Sequence, residues 1–244
     1  MNIELLTDIL KNADSIVFFG GAGMSTESGI PDFRSENGLY VTTDGSEYPP
    51  ETMLSHSFFV SHNDDFFKFY RTKMIFRDAK PNAGHLALAK LEETDRLKAV
   101  ITQNIDGLHQ LAGSKIVYEL HGSVHRNYCT KCRTFYDLDY IVNAKGTPRC
   151  IKCSSVIKPD VVLYEESLDD DVVSGAIDAI RNADVLVIGG TSLVVYPAAG
   201  LIDYFKGKKL VLVNKSSTPY DSRADLVIHD SVGKVLGTAV ESLL

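Results

Sequence analysis

Apolar positions along the chain follow two periods, and the alternation between them predicts the architecture. Leu5, Leu6, Ile9 and Leu10 fall at helical spacing, and Ser15–Phe19 then reads as a short run of strand formers. The same handover recurs where Leu86, Leu88, Ala89 and Leu91 feed Ala99–Thr102. Ile116–Leu120 predicts a further strand, and Asp160–Tyr164 resumes the strand pattern. After that the chain alternates cleanly. A helical period over Asp170–Ala183 leads to a strand at Val185–Ile188 and a helix over Pro197–Phe205 that begins on proline. Strands at Leu210–Val213 and Leu226–Ile228 follow, with a closing helix over Ser231–Leu244. Continuous apolar strands alternating with helices specify an α/β fold, a parallel sheet covered by helices on both faces.

Two stretches break the alternation. Phe58–Phe76 is crowded with Phe59, Phe66, Phe67, Phe69, Tyr70, Met74 and Ile75 and reads as an apolar helical insert. The other holds all four cysteines. Residues 46–80 and 125–157 are therefore expected to form a smaller domain, inserted into a larger one made of residues 1–45, 81–124 and 158–244.

Charge and composition narrow the function classes. Twenty-five basic against thirty-two acidic residues give a net charge of −7 at pH 7, which disfavours direct nucleic-acid binding. No apolar run approaches the roughly 18–20 residues that cross a bilayer, so no membrane partner is expected. The acidic N-terminus lacks the basic start of a secretory signal, and the expected location is the cytoplasm.

Cys129-Thr-Lys-Cys132 and Cys150-Ile-Lys-Cys153 form two C-x2-C knuckles in the spacing of a zinc site. Four thiolates fill tetrahedral zinc and leave no position open for substrate, so one structural Zn2+ is expected. A redox dithiol or two disulfides are the competing readings, disfavoured by the tandem spacing and a reducing compartment.

Gly21-Ala-Gly23 follows the first strand, where backbone can approach a pyrophosphate closely. The third glycine of the dinucleotide fingerprint is replaced by Thr26, and taken alone the segment reads equally well as a tight turn. Its surroundings favour a ligand. Ser25, Asp32, Arg34 and Ser35 crowd the following loop, and Thr102-Gln-Asn-Ile-Asp-Gly107, His121-Gly122, Gly189-Gly-Thr-Ser192 and Asn214 each follow an apolar strand. In open parallel sheets ligands gather beyond the carboxyl ends of strands, so this edge reads as a nucleotide site. A lone His121 would read as a core histidine; beside the other polar strand ends it reads as functional.

Taken in order, Gly21-Ala-Gly-Met-Ser, Ser28-Gly-Ile-Pro-Asp-Phe-Arg34, Thr102-Gln-Asn-Ile-Asp106, His121-Gly122, the cysteine knuckles and Gly190-Thr-Ser-Leu193 resemble the sirtuins of bacterial type, NAD-dependent protein lysine deacylases. The resemblance spans about Ser15 to Asn214. It implies a Rossmann-like large domain, a small zinc-ribbon and helical lobe, and a cleft between them for NAD and an acetyl-lysine protein or peptide. It also accounts for the imperfect fingerprint, because NAD is then consumed as a co-substrate and carries no hydride.

By the same resemblance, Ala22, Ser25 and Thr26 belong to the diphosphate loop, and Asp32, Phe33 and Arg34 close over the cofactor. Gln103, Asn104, Ile105 and Asp106 bind ribose and nicotinamide, while Gly190, Thr191, Ser192 and Asn214 hold the phosphate and adenosine side, with Val232 behind the adenine. Asn104 and His121 are the implied catalytic pair, His121 as general base. The products would be nicotinamide, deacetylated lysine and O-acetyl-ADP-ribose. Two departures bear on substrate choice. Glu165 stands where the family usually has glycine in a strand that pairs with the peptide, and Phe69 and Thr72 replace the Tyr and Arg of relatives that prefer acidic acyl groups. Acetyl is therefore expected ahead of succinyl or malonyl. Protein mono-ADP-ribosyl transfer and non-catalytic NAD or ADP-ribose sensing are the alternatives.

Overall fold

The computed structural model describes residues 2–33, 38 and 48–244. A six-stranded parallel sheet is built from β1 (Ile16–Gly20), β2 (Leu97–Thr102), β3 (Val117–Glu119), β7 (Val185–Gly189), β8 (Lys209–Val213) and β9 (Leu226–Ile228). Its order is β3-β2-β1-β7-β8-β9. The chain winds outward on one side of β1 and then returns to its other side through β7, so the strand order reverses between β1 and β7. Gly20 at the end of β1 pairs with Gly189 at the end of β7, and a crevice opens beyond that pair.

The strands are apolar throughout because both faces are covered. Ile16, Phe18, Val100, Val187 and Val211 point to one side, against α1 (Asn2–Lys11), α5 (Ala83–Glu93) and α9 (Val232–Glu241). Val17, Phe19, Ile101, Ile188 and Leu212 point to the other, against α8 (Asp170–Arg181) and a 3-10 helix at Ala198–Tyr204. Successive residues of a strand face opposite ways, so an uninterrupted apolar run is what a sheet with two covered faces requires.

A third buried cluster joins the two interrupting stretches. Phe58, Phe59, Phe66, Phe67 and Tyr70, from α3 (His56–Ser61) and α4 (Asn63–Lys73), pack with Cys129, Tyr136, Ile141 and Ile157. The last four belong to a three-stranded sheet, β4 (Gly122–Cys129), β5 (Phe135–Tyr136) and β6 (Ile157–Val161), and to α7 (Leu138–Asn143). The aromatic rings meet edge-on or stacked, with Phe66 and Phe67 at 5.2 Å and Phe66 and Tyr70 at 5.6 Å.

Several elements differ from the sequence reading. The strand expected at Asp160–Tyr164 is β6, which starts earlier and runs antiparallel to β4, outside the parallel sheet. Its inward residues Ile157, Pro159 and Val161 alternate with Lys158 and Asp160, the pattern of a half-covered strand. The aromatic insert is not one helix: it breaks at His62, follows the short α2 (Pro50–Met53) and ends at Lys73. The segment expected as a helix over Pro197–Phe205 winds as a 3-10 helix over Ala198–Tyr204. The short α6 (Leu108–Ala112), bounded by Gly107 and Gly113, both at positive φ, was not anticipated. Among the described residues, no helix is long and apolar enough to cross a membrane.

Candidate functional site

The loop leaving β1 is pressed onto the end of β7 by backbone contacts that leave no space for side chains. Gly21 N–H donates to Gly189 O at 3.2 Å and Gly23 N–H to Gly190 O at 2.8 Å. A Cβ on Gly23 would sit 2.7 Å from Gly190 Cα, and one on Gly190, at φ +63°, would sit 2.4 Å from Met24 N. The loop then winds through two single 3-10 turns, Ala22–Met24 and Thr26–Ser28. A backbone cradle that a Cβ would fill, at the crevice where the strand order reverses, fits a dinucleotide phosphate.

Ser25 ties this loop to the one after β2. Asn104 Nδ2 donates to Ser25 Oγ at 3.0 Å, and Ser25 Oγ donates to Asp106 Oδ2 at 2.6 Å. Leu108 N–H donates to Asp106 Oδ1 at 2.9 Å. Burial raises the Asp106 pKa, opposed by the Ser25 and Leu108 bonds and by the nearby His125. With a donor already on each oxygen, this carboxyl is held as an acceptor, with lone pairs to spare for a carboxamide N–H. Gln103 Nε2 donates to Thr191 Oγ1 at 3.1 Å, joining the ends of β2 and β7 from opposite sides of β1.

His121 lies immediately before β4. Its Nδ1 is 2.9 Å from Gln103 O, and a carbonyl oxygen only accepts, so Nδ1 carries the hydrogen. In the neutral ring Nε2 is then the free base. Burial holds its pKa below the ordinary 6.5, only partly offset by the Gln103 carbonyl. Gly122 follows at φ +73°, where a Cβ would lie 1.8 Å from Asp160 O, so only glycine lets β4 turn away directly behind the imidazole.

The remaining candidates spread around this centre. Thr26 Oγ1 donates back to Gly23 O at 3.0 Å, which stiffens the glycine loop. Ala22, Asp32 and Phe33 are half-buried, Phe33 packing against the third cluster as does Ile105. Ser192 is exposed beyond buried Thr191. Asn214 follows β8 and donates to Ser216 O at 2.7 Å, while Val232 is buried at the start of α9 beside Gly189. Arg34 and Ser35 lie outside the described residues. The sequence reading missed His125, whose Nε2 is 3.1 Å from Asp106 O, and Asn82, whose Nδ2 donates to Met24 O. Asn82 left a signal as a helix N-cap; nothing in the local sequence links His125 to Asp106.

The four cysteines form a separate centre. Their sulfurs all lie within 4.8 Å of one another, with Cys129 to Cys153 at 3.3 Å, Cys132 to Cys150 at 3.5 Å and Cys132 to Cys153 at 3.6 Å. A disulfide would need about 2.05 Å. Tetrahedral zinc with Zn–S of about 2.3 Å needs sulfurs about 3.8 Å apart, so the donor set fits Zn2+. Backbone N–H groups of Cys132 and Lys152 and the Tyr136 hydroxyl point at the sulfurs of Cys129 and Cys150, which supports thiolate charge.

Comparison with known proteins agrees with this geometry. A family model described as the Sir2 family matches residues 21–197. A protein from Clostridium acetobutylicum named NAD-dependent protein deacetylase is 65% identical over 239 residues, 98% of each chain. A solved complex of Sir2 with a p53 peptide and NAD+ superposes with a TM-score of 0.86 at 40% identity, covering 99% of this chain and 98% of the other. A Sir2 complex with deacetylated p53 peptide and 3'-O-acetyl ADP-ribose reaches a TM-score of 0.90 at 40% identity, with the same coverage. By its family match, by whole-length identity to such relatives and by its fold, this chain belongs to the Sir2 family.

Proposed function

We propose that this chain is an NAD-dependent protein lysine deacetylase that transfers an acetyl group from lysine to ADP-ribose and releases nicotinamide. The observation that carries the reading is the meeting, at one sheet edge, of a glycine cradle, the Asn104–Ser25–Asp106 chain of hydrogen bonds and a neutral imidazole with its free nitrogen set by Gln103 O. Mere binding has no use for such a base. Its relatives' names and the acetyl ADP-ribose seen in a solved Sir2 complex support the same chemistry.

NAD supplies an electrophilic ribose carbon as its nicotinamide departs. In this reading the loop Ala22–Thr26, with Gly190, Thr191 and Ser192, holds the diphosphate, and Asn214 and Val232 border the adenosine. Asp32, Phe33 and Arg34 cover the cofactor. Gln103, Ile105 and Asp106 hold the nicotinamide and its ribose, Asp106 accepting from the carboxamide. Asn104 orients groups about the reacting ribose. His121 Nε2 removes a proton from a ribose hydroxyl, a task suited to a base already neutral above about pH 6.5. Cys129, Cys132, Cys150 and Cys153 would hold a zinc ion in a structural role.

The larger domain in this reading comprises residues 1–45, 81–124 and 158–244, and residues 46–80 and 125–157 form the smaller. Phe69 and Thr72 support acetyl over acidic acyl groups, and the net charge of −7 supports protein over nucleic-acid partners. Four reduced thiols suit the cytoplasm.

The test is nicotinamide release with and without an acetyl-lysine peptide, for the native protein and for His121→Ala. Peptide-dependent release is expected, with deacetylation lowered roughly 10²–10⁴-fold in the variant and NAD still bound. Release at the same rate without peptide would contradict deacetylation and favour ADP-ribosyl transfer.

A further inference from the structure

Asn82 spends its whole side-chain amide in two directions at once. Its Oδ1 accepts from Gly84 N at 3.0 Å and His85 N at 3.4 Å, capping α5. Its Nδ2 donates to Met24 O at 2.8 Å and to Ser28 Oγ at 3.0 Å, reaching 58 and 54 residues back to the loop after β1. His85 Nδ1 accepts from Asn82 N at 3.3 Å, which completes a capping box and fixes the residue's backbone. An amide offers two donors and two acceptor positions, and here all four are engaged.

The loop needs such an anchor. Its two 3-10 turns are each three residues long and supply little cohesion of their own. On one side the glycines clamp it to β7; on the other Asn82 holds the carbonyl of Met24, the residue directly before Ser25. Ser25 in turn makes the 2.6 Å bond to Asp106. Glu27 adds a second tie, accepting from Gly233 N in the first turn of α9 at 2.7 Å. The packing leaves no slack: a Cβ on Gly84 would lie 2.8 Å from Gly233 Cα and 2.9 Å from Met24 Cε.

We propose that Asn82 is a positioning residue for NAD binding, setting the path of the loop Ala22–Ser28 from behind without touching the dinucleotide. This rests on the reading of that loop as the dinucleotide cradle. Aspartate keeps the two acceptor bonds to α5 and loses both donations. Serine also caps a helix, carries no charge and is too short to reach Met24 O. The two variants therefore separate the cap from the tether, and serine controls for the charge that aspartate would bring near Glu27.

The experiment measures NAD affinity by calorimetry, steady-state KM for NAD and for an acetylated peptide, and melting temperature, for the native protein, Asn82→Ser and Asn82→Asp. In both variants NAD binding is expected to weaken roughly tenfold, about 1.4 kcal/mol. The peptide KM should change less than about twofold, and melting should stay within a few degrees. Unchanged NAD affinity in both variants would overturn the proposal. So would equal losses for NAD and peptide, or a collapse of melting temperature, either of which would make Asn82 a general scaffold residue. Native protein that binds no NAD at all would sink the parent reading as well, and would do so before any variant was compared.

Discussion

The parallel sheet and the β4–β6 lobe meet at His121, yet different forces hold them. The sheet buries Phe18, Phe19, Ile101, Val187 and Leu212 between two layers of helix, so burial and its backbone ladders account for its order. The lobe has a short three-stranded sheet, with β5 only two residues long, and its remaining order comes from an aromatic cluster that takes in Cys129 and Cys150, two of the four clustered cysteines. The parallel sheet is thus stabilised by buried area and the β4–β6 region by packed rings and four cysteines placed to hold a metal, and His121 stands where the two join.

That contrast can be broken most severely by removing the metal. Structural zinc contributes about 10–16 kcal/mol in small domains, so chelation or Cys150→Ser should release the lobe while the sheet persists. Amide hydrogen exchange should show lost protection in β4–β6 and retained protection in β1, β7 and β8. Uniform loss across both regions would show them to be one cooperative unit.

A smaller effect should follow from emptying the aromatic cluster. Phe66 is fully buried between Phe59, Phe67 and Tyr70, and Phe66→Ala should cost about 3–5 kcal/mol, read as a lower denaturant midpoint. If this region depends on the metal as well as on packing, saturating zinc should recover part of the loss. No recovery would mean that ring packing and thiolate ligation stabilise separate parts of it.

Acid perturbs the sheet side gradually, through two buried histidines. His85 and His109 are buried with their rings 4.7 Å apart, and among the described residues His85 Nε2 and both His109 nitrogens have no hydrogen-bond partner. Burial lowers the His85 pKa from 6.5 to about 4. It also holds His109 well below 6.5, with the neighbouring His85 adding to the effect. Both rings have lower pKa values folded than unfolded, so above pH 6.5 neither makes stability depend on pH. Between pH 6.5 and 4 the unfolded chain takes up protons that the fold refuses, and stability falls by up to about 1.4 kcal/mol per pH unit for each ring. Melting temperatures measured from pH 7.5 to 4.5 should show this slope, and His85→Gln should flatten it. An unaltered slope in that variant would remove His85 from the account.

What the sequence disclosed follows the same division. Strands such as Val185–Gly189 were legible because a sheet covered on both faces needs unbroken apolar runs, and the knuckles were legible because metal ligands recur at fixed spacing. β4 and β6 were not read correctly, because β6 alternates, their register slips between Ser123 and Asn127, and their pairing depends on partners 28 to 39 residues away. The polar strand ends pointed to one edge, but no local pattern reveals that Ser25 meets Asp106 across 81 residues or that Asn82 faces two ways. Periodicity reports which side of an element is covered, and says nothing about which distant atom a particular hydroxyl or amide will find.

The pairing of β1 with both β2 and β7 has a consequence for how the protein is born. One of the two neighbours of β1 is encoded roughly 170 residues after it, which at about 5–20 residues per second is a delay of roughly ten to thirty seconds. Throughout that interval the nascent chain carries Ile16–Phe19 with one ladder of amides and carbonyls unmatched. The central position that buries this strand on both faces in the finished enzyme also makes it the one that waits longest for its second neighbour during translation.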